Sequence, residues 1–178
     1  MVSAFGATEM PTHTDPVTTA QGLAQFVKDY DLDGADIDYE DNEAMEAGKG
    51  EAWLISFTKE LRRQLPNHII THAPQGPYFK DEYYPQGGYV TVHQEVGDLI
   101  DFYNVQFYNQ GNTQYNSYEE LFTHSSGFFS NTSVNEIMGR GVPANKIVVG
   151  KPATPGDAMN TGYVNSADLG SWIERAYT

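Results

Sequence analysis

The chain has 178 residues, 39% of them hydrophobic and 13% aromatic, enough for one domain with a real core and too apolar for a disordered segment. Ten basic against 24 acidic side chains give a net charge of -14, which repels phosphate backbones and anionic lipid surfaces and so argues against a nucleic-acid or membrane partner. Cysteine is absent, which removes disulfides, thiolate catalysis and thiolate metal sites; the first residues also lack the basic-then-apolar layout of a signal peptide.

In chain order, residues 2–7 read as a strand, followed by a loop rich in Pro and Thr and a helix from about residue 19 with Leu23, Phe26 and Val27 on one face. An acidic strand follows at 34–40, then a loop at 41–50. The helix predicted at 51–65 carries Leu54, Phe57, Leu61 and Leu65 at intervals of three and four, and Pro66 stops it. Strands at 68–73 and 100–108 flank a long loop, 74–92, rich in Gly, Pro and Tyr; loops of that length in compact domains are usually functional. Helical stretches at 117–124 and 133–139, a strand at 146–150 and a helix at 166–176 complete the chain.

Strands alternating with helices in this way predict an α/β fold with a parallel sheet. Five βα units follow one another without a linker, so residues 1–178 form one domain. Five units do not close an eight-stranded barrel, which takes about 250 residues. The chain is therefore either part of a barrel or an open parallel sheet.

The acidic strand carries the chemistry. Side chains on a strand alternate faces, so Asp36, Asp38 and Glu40 point one way, about 7 Å apart in successive steps, and Ala35, Ile37 and Tyr39 point the other. Parallel strands are covered on both faces, and three inward carboxylates are costly unless they are paired, neutralised or used. A calcium loop starting at Asp36 has Ala47 at the twelfth position where Glu is needed, and one starting at Asp31 has its glycine too early. Magnesium suits oxygen ligands, but the glycine-rich phosphate loop that often accompanies it is absent. His72 and His93 lack the spacing of metal ligands and read as structural histidines. Acid/base work remains, with Glu40 at the C-terminal end of the strand, where barrel proteins place their substrates. Asn131-Thr132-Ser133 is a glycosylation sequon that secretion would expose to use.

Asp33-Gly-Ala-Asp36-Ile-Asp38-Tyr-Glu40 resembles, at every fixed position, the D-G-x-D-x-D-x-E signature of glycoside hydrolase family 18. Ala73-Pro74-Gln75 is similar to the A-P-Q of the plant and fungal, hevamine-like chitinases of that family, and Val105-Gln106-Phe107-Tyr108-Asn109 to their Q-F-Y-N. The resemblance implies a (β/α)8 barrel, here incomplete, with about strands 3 to 7 present. It implies retaining hydrolysis of β-1,4 bonds in chitin or N-acetylglucosamine oligosaccharides, assisted by the substrate's own acetamido group. Glu40 would protonate the glycosidic oxygen, Asp38 would orient the acetamido N–H, Asp36 would hold Asp38, and Tyr108 would donate to the acetamido carbonyl. Gln106, Asn109, Gln75, Ala73 and Gly6 would line the sugar site. The tyrosines and phenylalanine of the long loop, Tyr78, Phe79, Tyr83, Tyr84 and Tyr89, would either stack on sugars or pack the loop. No cofactor or metal is implied, and the location would be extracellular.

Three features depart from the family pattern. Its first two strands and its eighth are missing, the last with a Trp that neither Trp53 nor Trp172 replaces, and its S-x-G-G is altered to Ser3-Ala-Phe-Gly6-Ala7. An open barrel interior calls for a partner chain or further segments of the natural protein. Other readings are an endo-β-N-acetylglucosaminidase acting on N-glycans with the same acids, a non-hydrolytic chi-lectin, which commonly loses the Glu retained here as Glu40, and an inactive fragment.

Overall fold

The computed structural model describes residues 1–176. Five parallel strands, β1 (Val2–Phe5), β2 (Gly34–Asp38), β3 (Ile69–His72), β4 (Phe102–Gln106) and β5 (Ile147–Gly150), lie side by side in chain order. The helices are α1 (Pro16–Asp29), α2 (Asn42–Glu46), α3 (Gly50–Gln64), α4 (Gly88–Val96), α5 (Val134–Gly139) and α6 (Ser166–Ala176). This is an incomplete (β/α)8 arrangement, and β1 and β5 are its edge strands.

α1 begins three residues before the expected start, because the Asp15 side chain caps it, accepting from the Thr18 N–H at 2.8 Å, and Pro16 fills its first position. Its buried face is also rotated from the expected one: Ala20, Ala24 and Val27 are buried, while Phe26 is 43% exposed and packs at a tilt against the Tyr30 ring, centroids 4.5 Å apart. Small residues let α1 approach α3 closely, and the bulkier side chain is left outside. Gly22 lies exposed in the middle of α1, and a methyl group there would meet nothing within 4 Å. Gly22→Ala should therefore raise stability by about 0.5–1 kcal/mol in urea unfolding, through the backbone entropy removed from the unfolded chain.

α3 matches its expected span within a residue and buries Leu54, Phe57 and Leu61 completely. Phe57 stacks on Trp53 at 4.8 Å and meets Phe5 of β1 edge-on at 5.7 Å, which joins the helix to the first strand.

Segments expected to be loops contain helices. α2 falls within 41–50, capped by the Asp41 carboxylate, which accepts from the Ala44 N–H at 3.1 Å. Within 74–92 lie a 3-10 turn (Gly76–Phe79) and the start of α4, whose Tyr89, Val92 and Val96 are buried at helical spacing. Gly87 and Gly88, inside the segment expected to be a loop, both have positive φ, and a Cβ on Gly88 would lie 2.4 Å from the Tyr78 carbonyl oxygen. Tyr78, Phe79 and Tyr89 are fully buried and Tyr84 nearly so, hence they pack this segment; Tyr83 alone among the five reaches the surface, at 36% exposure. The stretch predicted as a helix at 117–124 is a single π turn, Glu119–Thr123. His72 is fully buried between the Thr58 and Tyr89 hydroxyls, and burial pushes its pKa down to about 3, so it is a neutral structural histidine.

Candidate active site

Alternation along β2 holds as expected: Ala35, Ile37 and Tyr39 have no exposed surface, and Asp36, Asp38 and Glu40 are half-buried on the other face, with Glu40 just past the strand's C-terminal end. Three other strands, the adjacent β1 and β3 and the next one over, β4, bring one donor each to Asp36. Its Oδ1 accepts from Thr71 Oγ1 on β3 at 2.5 Å and from Asn104 Nδ2 on β4 at 2.9 Å, and its Oδ2 accepts from Ser3 Oγ on β1 at 3.1 Å. The deepest carboxylate is thereby fixed from three strands.

The other two carboxylates share a donor. Gln106 Nε2, on a side chain only 8% exposed, lies 2.8 Å from Asp38 Oδ1, 3.3 Å from Glu40 Oε1 and 2.9 Å from the Ala73 carbonyl oxygen. Glu40 Oε2 accepts from Gln75 Nε2 at 3.1 Å, and Gln75 is in place because β3 and β4 extend their pairing by a bridge between Gln75 and Gln106. Gly6, at φ 105°, donates its N–H to the Asp38 carbonyl at 2.8 Å, and a Cβ there would stand 3.7 Å from Asp38 Oδ2.

Burial, then the charges of Glu40 and Asp36, push the Asp38 pKa up to about 6 from an ordinary 3.8. Because the folded value is the higher one, the folded state binds the proton more tightly. The resulting stability is complete below about pH 4 and is lost as pH rises through about 6. Asp38→Asn should flatten that slope in urea unfolding between pH 4 and 7, by on the order of 1 kcal/mol once solvent screening of a half-exposed group is allowed for.

Tyr108, two residues past the end of β4 rather than on the strand expected to run to 108, stands beside this group, and its phenol pKa is raised by burial and by the charges of Asp38 and Glu40. Asp36, Asp38, Ala73, Gln106 and Tyr108, with Asn104 and Lys151, line an open cavity of about 250 Å³, and Glu40 is tied to its wall by Gln106. Of the expected site residues, Asn109 is the one whose side chain is committed elsewhere: its Oδ1 accepts from the N–H groups of Met159, at 2.7 Å, and Asn160, at 3.3 Å.

Sequence reasoning missed Ser3, Thr71, Asn104 and Lys151. Two-residue alternation back from Gln106 points to Asn104. Ser3 and Thr71 needed the register that pairs both with Asp36. Lys151, just past β5, donates from Nζ to the carbonyl oxygens of Phe107 and Tyr115, both at 2.8 Å, and desolvation pushes its pKa down to about 7.

A parallel βα sheet with carboxylates gathered at the C-terminal end of one inner strand defines a barrel protein equipped for acid/base chemistry. Residues 9–172 match the sequence profile of Glycosyl hydrolases family 18, and the chain belongs to that family. It is 31% identical over 175 residues to a "Chitinase" of Enterococcus faecalis, covering 86% of this chain and 47% of that protein. Identity to "Chitinase 1" of Aphanocladium album is 25% over 176 residues, covering 87% and 40%. Among solved structures, a GH18 chitinase from Pseudoalteromonas aurantia superposes with a TM-score of 0.73 at 36% identity, covering 91% of this chain and 58% of that one. The ChiA C-terminal domain of Legionella pneumophila, at 16% identity and a TM-score of 0.60, shares the fold. The chain thus spans about half the length of the curated relatives it matches.

Proposed function

We propose that this chain carries the catalytic centre of a chitinase that hydrolyses β-1,4 bonds between N-acetylglucosamine units, acts outside the cell where such a polymer is met, and retains anomeric configuration by a substrate-assisted route. The observation that carries the reading is the Gln106 amide shared between Asp38 and Glu40, which gathers a carboxyl with a raised pKa and a rim carboxyl on one side of a cavity. In the first step Glu40 gives its proton to the glycosidic oxygen as the bond to the anomeric carbon breaks, and the substrate's acetamido carbonyl oxygen attacks that carbon. Asp38 holds the acetamido N–H and takes up the charge that develops beside it, while Asp36, anchored by Ser3, Thr71 and Asn104, keeps Asp38 in place. Tyr108 donates its hydroxyl to the acetamido oxygen, and Ala73, Gln75 and Gly6 shape the floor around it. Water then opens the oxazolinium intermediate, with Glu40 accepting its proton.

The retention of Glu40, bonded to Gln75 and Gln106, favours hydrolysis over sugar binding alone. Fluorophore release from a labelled chitotriose tests the reading, comparing this chain, its Glu40→Gln variant and a version extended by the three remaining strands of an eight-stranded barrel. Activity in the extended form alone would place the missing determinants on those strands. No activity in either form would sink the proposal.

A further inference from the structure

We infer that Asn109 is a positioning residue for Tyr108, acting through its side-chain oxygen as a clasp on the segment 158–162 and opposed on the other side by Lys151. The inference rests on the role proposed above for Tyr108. Among the described residues the Tyr108 hydroxyl has no hydrogen-bond partner, so the direction of its ring is set by the backbone on either side. On the N-terminal side, the Phe107 N–H donates to the Gly150 carbonyl at 3.2 Å, and the Phe107 carbonyl accepts from Lys151 Nζ at 2.8 Å. The same ammonium binds the Tyr115 carbonyl, closing the loop 107–115 on itself.

On the C-terminal side, Asn109 adopts the left-handed region at φ 61°, which Asn tolerates better than most residues. Its own N–H donates to the Thr161 carbonyl at 2.9 Å, and its Oδ1 accepts from both Met159 and Asn160. Asn109 therefore grips 159–161 by three bonds. That segment runs directly against Tyr108: Gly162 has φ 100°, and a Cβ there would lie 2.4 Å from Tyr108 Cα and 2.6 Å from its Cβ. A clasped segment in that position is a backstop that keeps Tyr108 from retreating from the cavity.

These contacts use Asn109 Oδ1 as an acceptor only. An aspartate at 109 would keep the acceptor and tolerate the backbone, whereas a role in sugar binding through the amide N–H2 would be lost with it. Three variants separate the roles: Asn109→Asp, Asn109→Ala and Asn109→Gly, the last keeping the left-handed backbone without the clasp. Readouts on the whole chain are hydrogen exchange at the Met159 and Asn160 amides, the ring signal of Tyr108 in 13C-tyrosine NMR, assigned with Tyr108→Phe, and kcat and KM on labelled chitotriose. Asn109→Ala and Asn109→Gly should speed exchange at least about tenfold, shift the Tyr108 signal and lower kcat by about 10²-fold with KM little changed, the scale expected for a misplacement of about 1 Å. Asn109→Asp should keep the protection, the ring signal and kcat within about threefold. Unchanged exchange and ring signals in Asn109→Ala would overturn the inference. So would an Asn109→Asp variant that keeps amide protection yet loses kcat, since the amide nitrogen would then touch substrate. If the wild-type chain hydrolyses nothing, the functional reading fails on its own, and exchange and NMR still decide the clasp.

Discussion

Replacing Glu40 by Gln is expected to lower fluorophore release from labelled chitotriose by about 10²- to 10⁴-fold, the usual contribution of a positioned general acid, with KM nearly unchanged. The amide has the size of the carboxyl but no proton to give at the glycosidic oxygen and no basic oxygen to take one back from water. Glu40 is only half-buried and its two partners, Gln75 and Gln106, are side-chain amides that can turn over, so the fold should survive the change. Thermal unfolding of the variant close to that of the parent checks this. A fall of less than about tenfold would show that another group carries the proton, and Asp38 would be the next candidate.

The largest effect on stability is expected at the glycine inside the acidic motif. A Cβ on Gly34 would lie 1.9 Å from the carbonyl oxygen of Ile69 and 2.7 Å from its carbonyl carbon, and both are backbone atoms of the paired strand that cannot swing aside. β2 and β3 would have to separate, straining the bond from the Ile69 N–H to the Asp33 carbonyl (3.0 Å) and the register that pairs Gly34 with Ile69. Gly34→Ala should cost about 3 kcal/mol or more in urea unfolding, at the upper end of overpacking, or leave no folded protein to measure. Gly22→Ala, the same chemical change on an exposed helix, is expected to have the opposite sign. Equal effects at the two positions would mean that the close approach of β3 is not what demands glycine in the motif.

Much of the fold is legible along the chain because its signals are local. Leu54, Phe57 and Leu61 recur at helical spacing and occupy the buried face of α3; Ala35, Ile37 and Tyr39 alternate with the acids and fill the core side of β2. Errors fall where local signals conflict. Gly87 and Gly88 read as a loop, yet they start α4 in conformations open to glycine, and the tyrosines around them hide in the core. In α1 the expected face carries Leu23, Phe26 and Val27, whereas close approach to α3 buries Ala20, Ala24 and Val27 and leaves Phe26 exposed.

At the site, the sequence by itself determined that three carboxylates share one face of a parallel strand and that Glu40 stands at its open end, because strand alternation needs no partner to be read. The motif also named Gln106 and Tyr108 through resemblance. The tertiary structure decided which groups support them. Ser3, Thr71 and Asn104 meet at Asp36 only through the register of four strands; Lys151 reaches one side of Tyr108 from about forty residues away in sequence, and Asn109, its chain neighbour, holds on the other side a segment about fifty residues away. Alternation acts between neighbours along one strand, whereas hydrogen bonds between strands depend on pairing that no single stretch of sequence encodes.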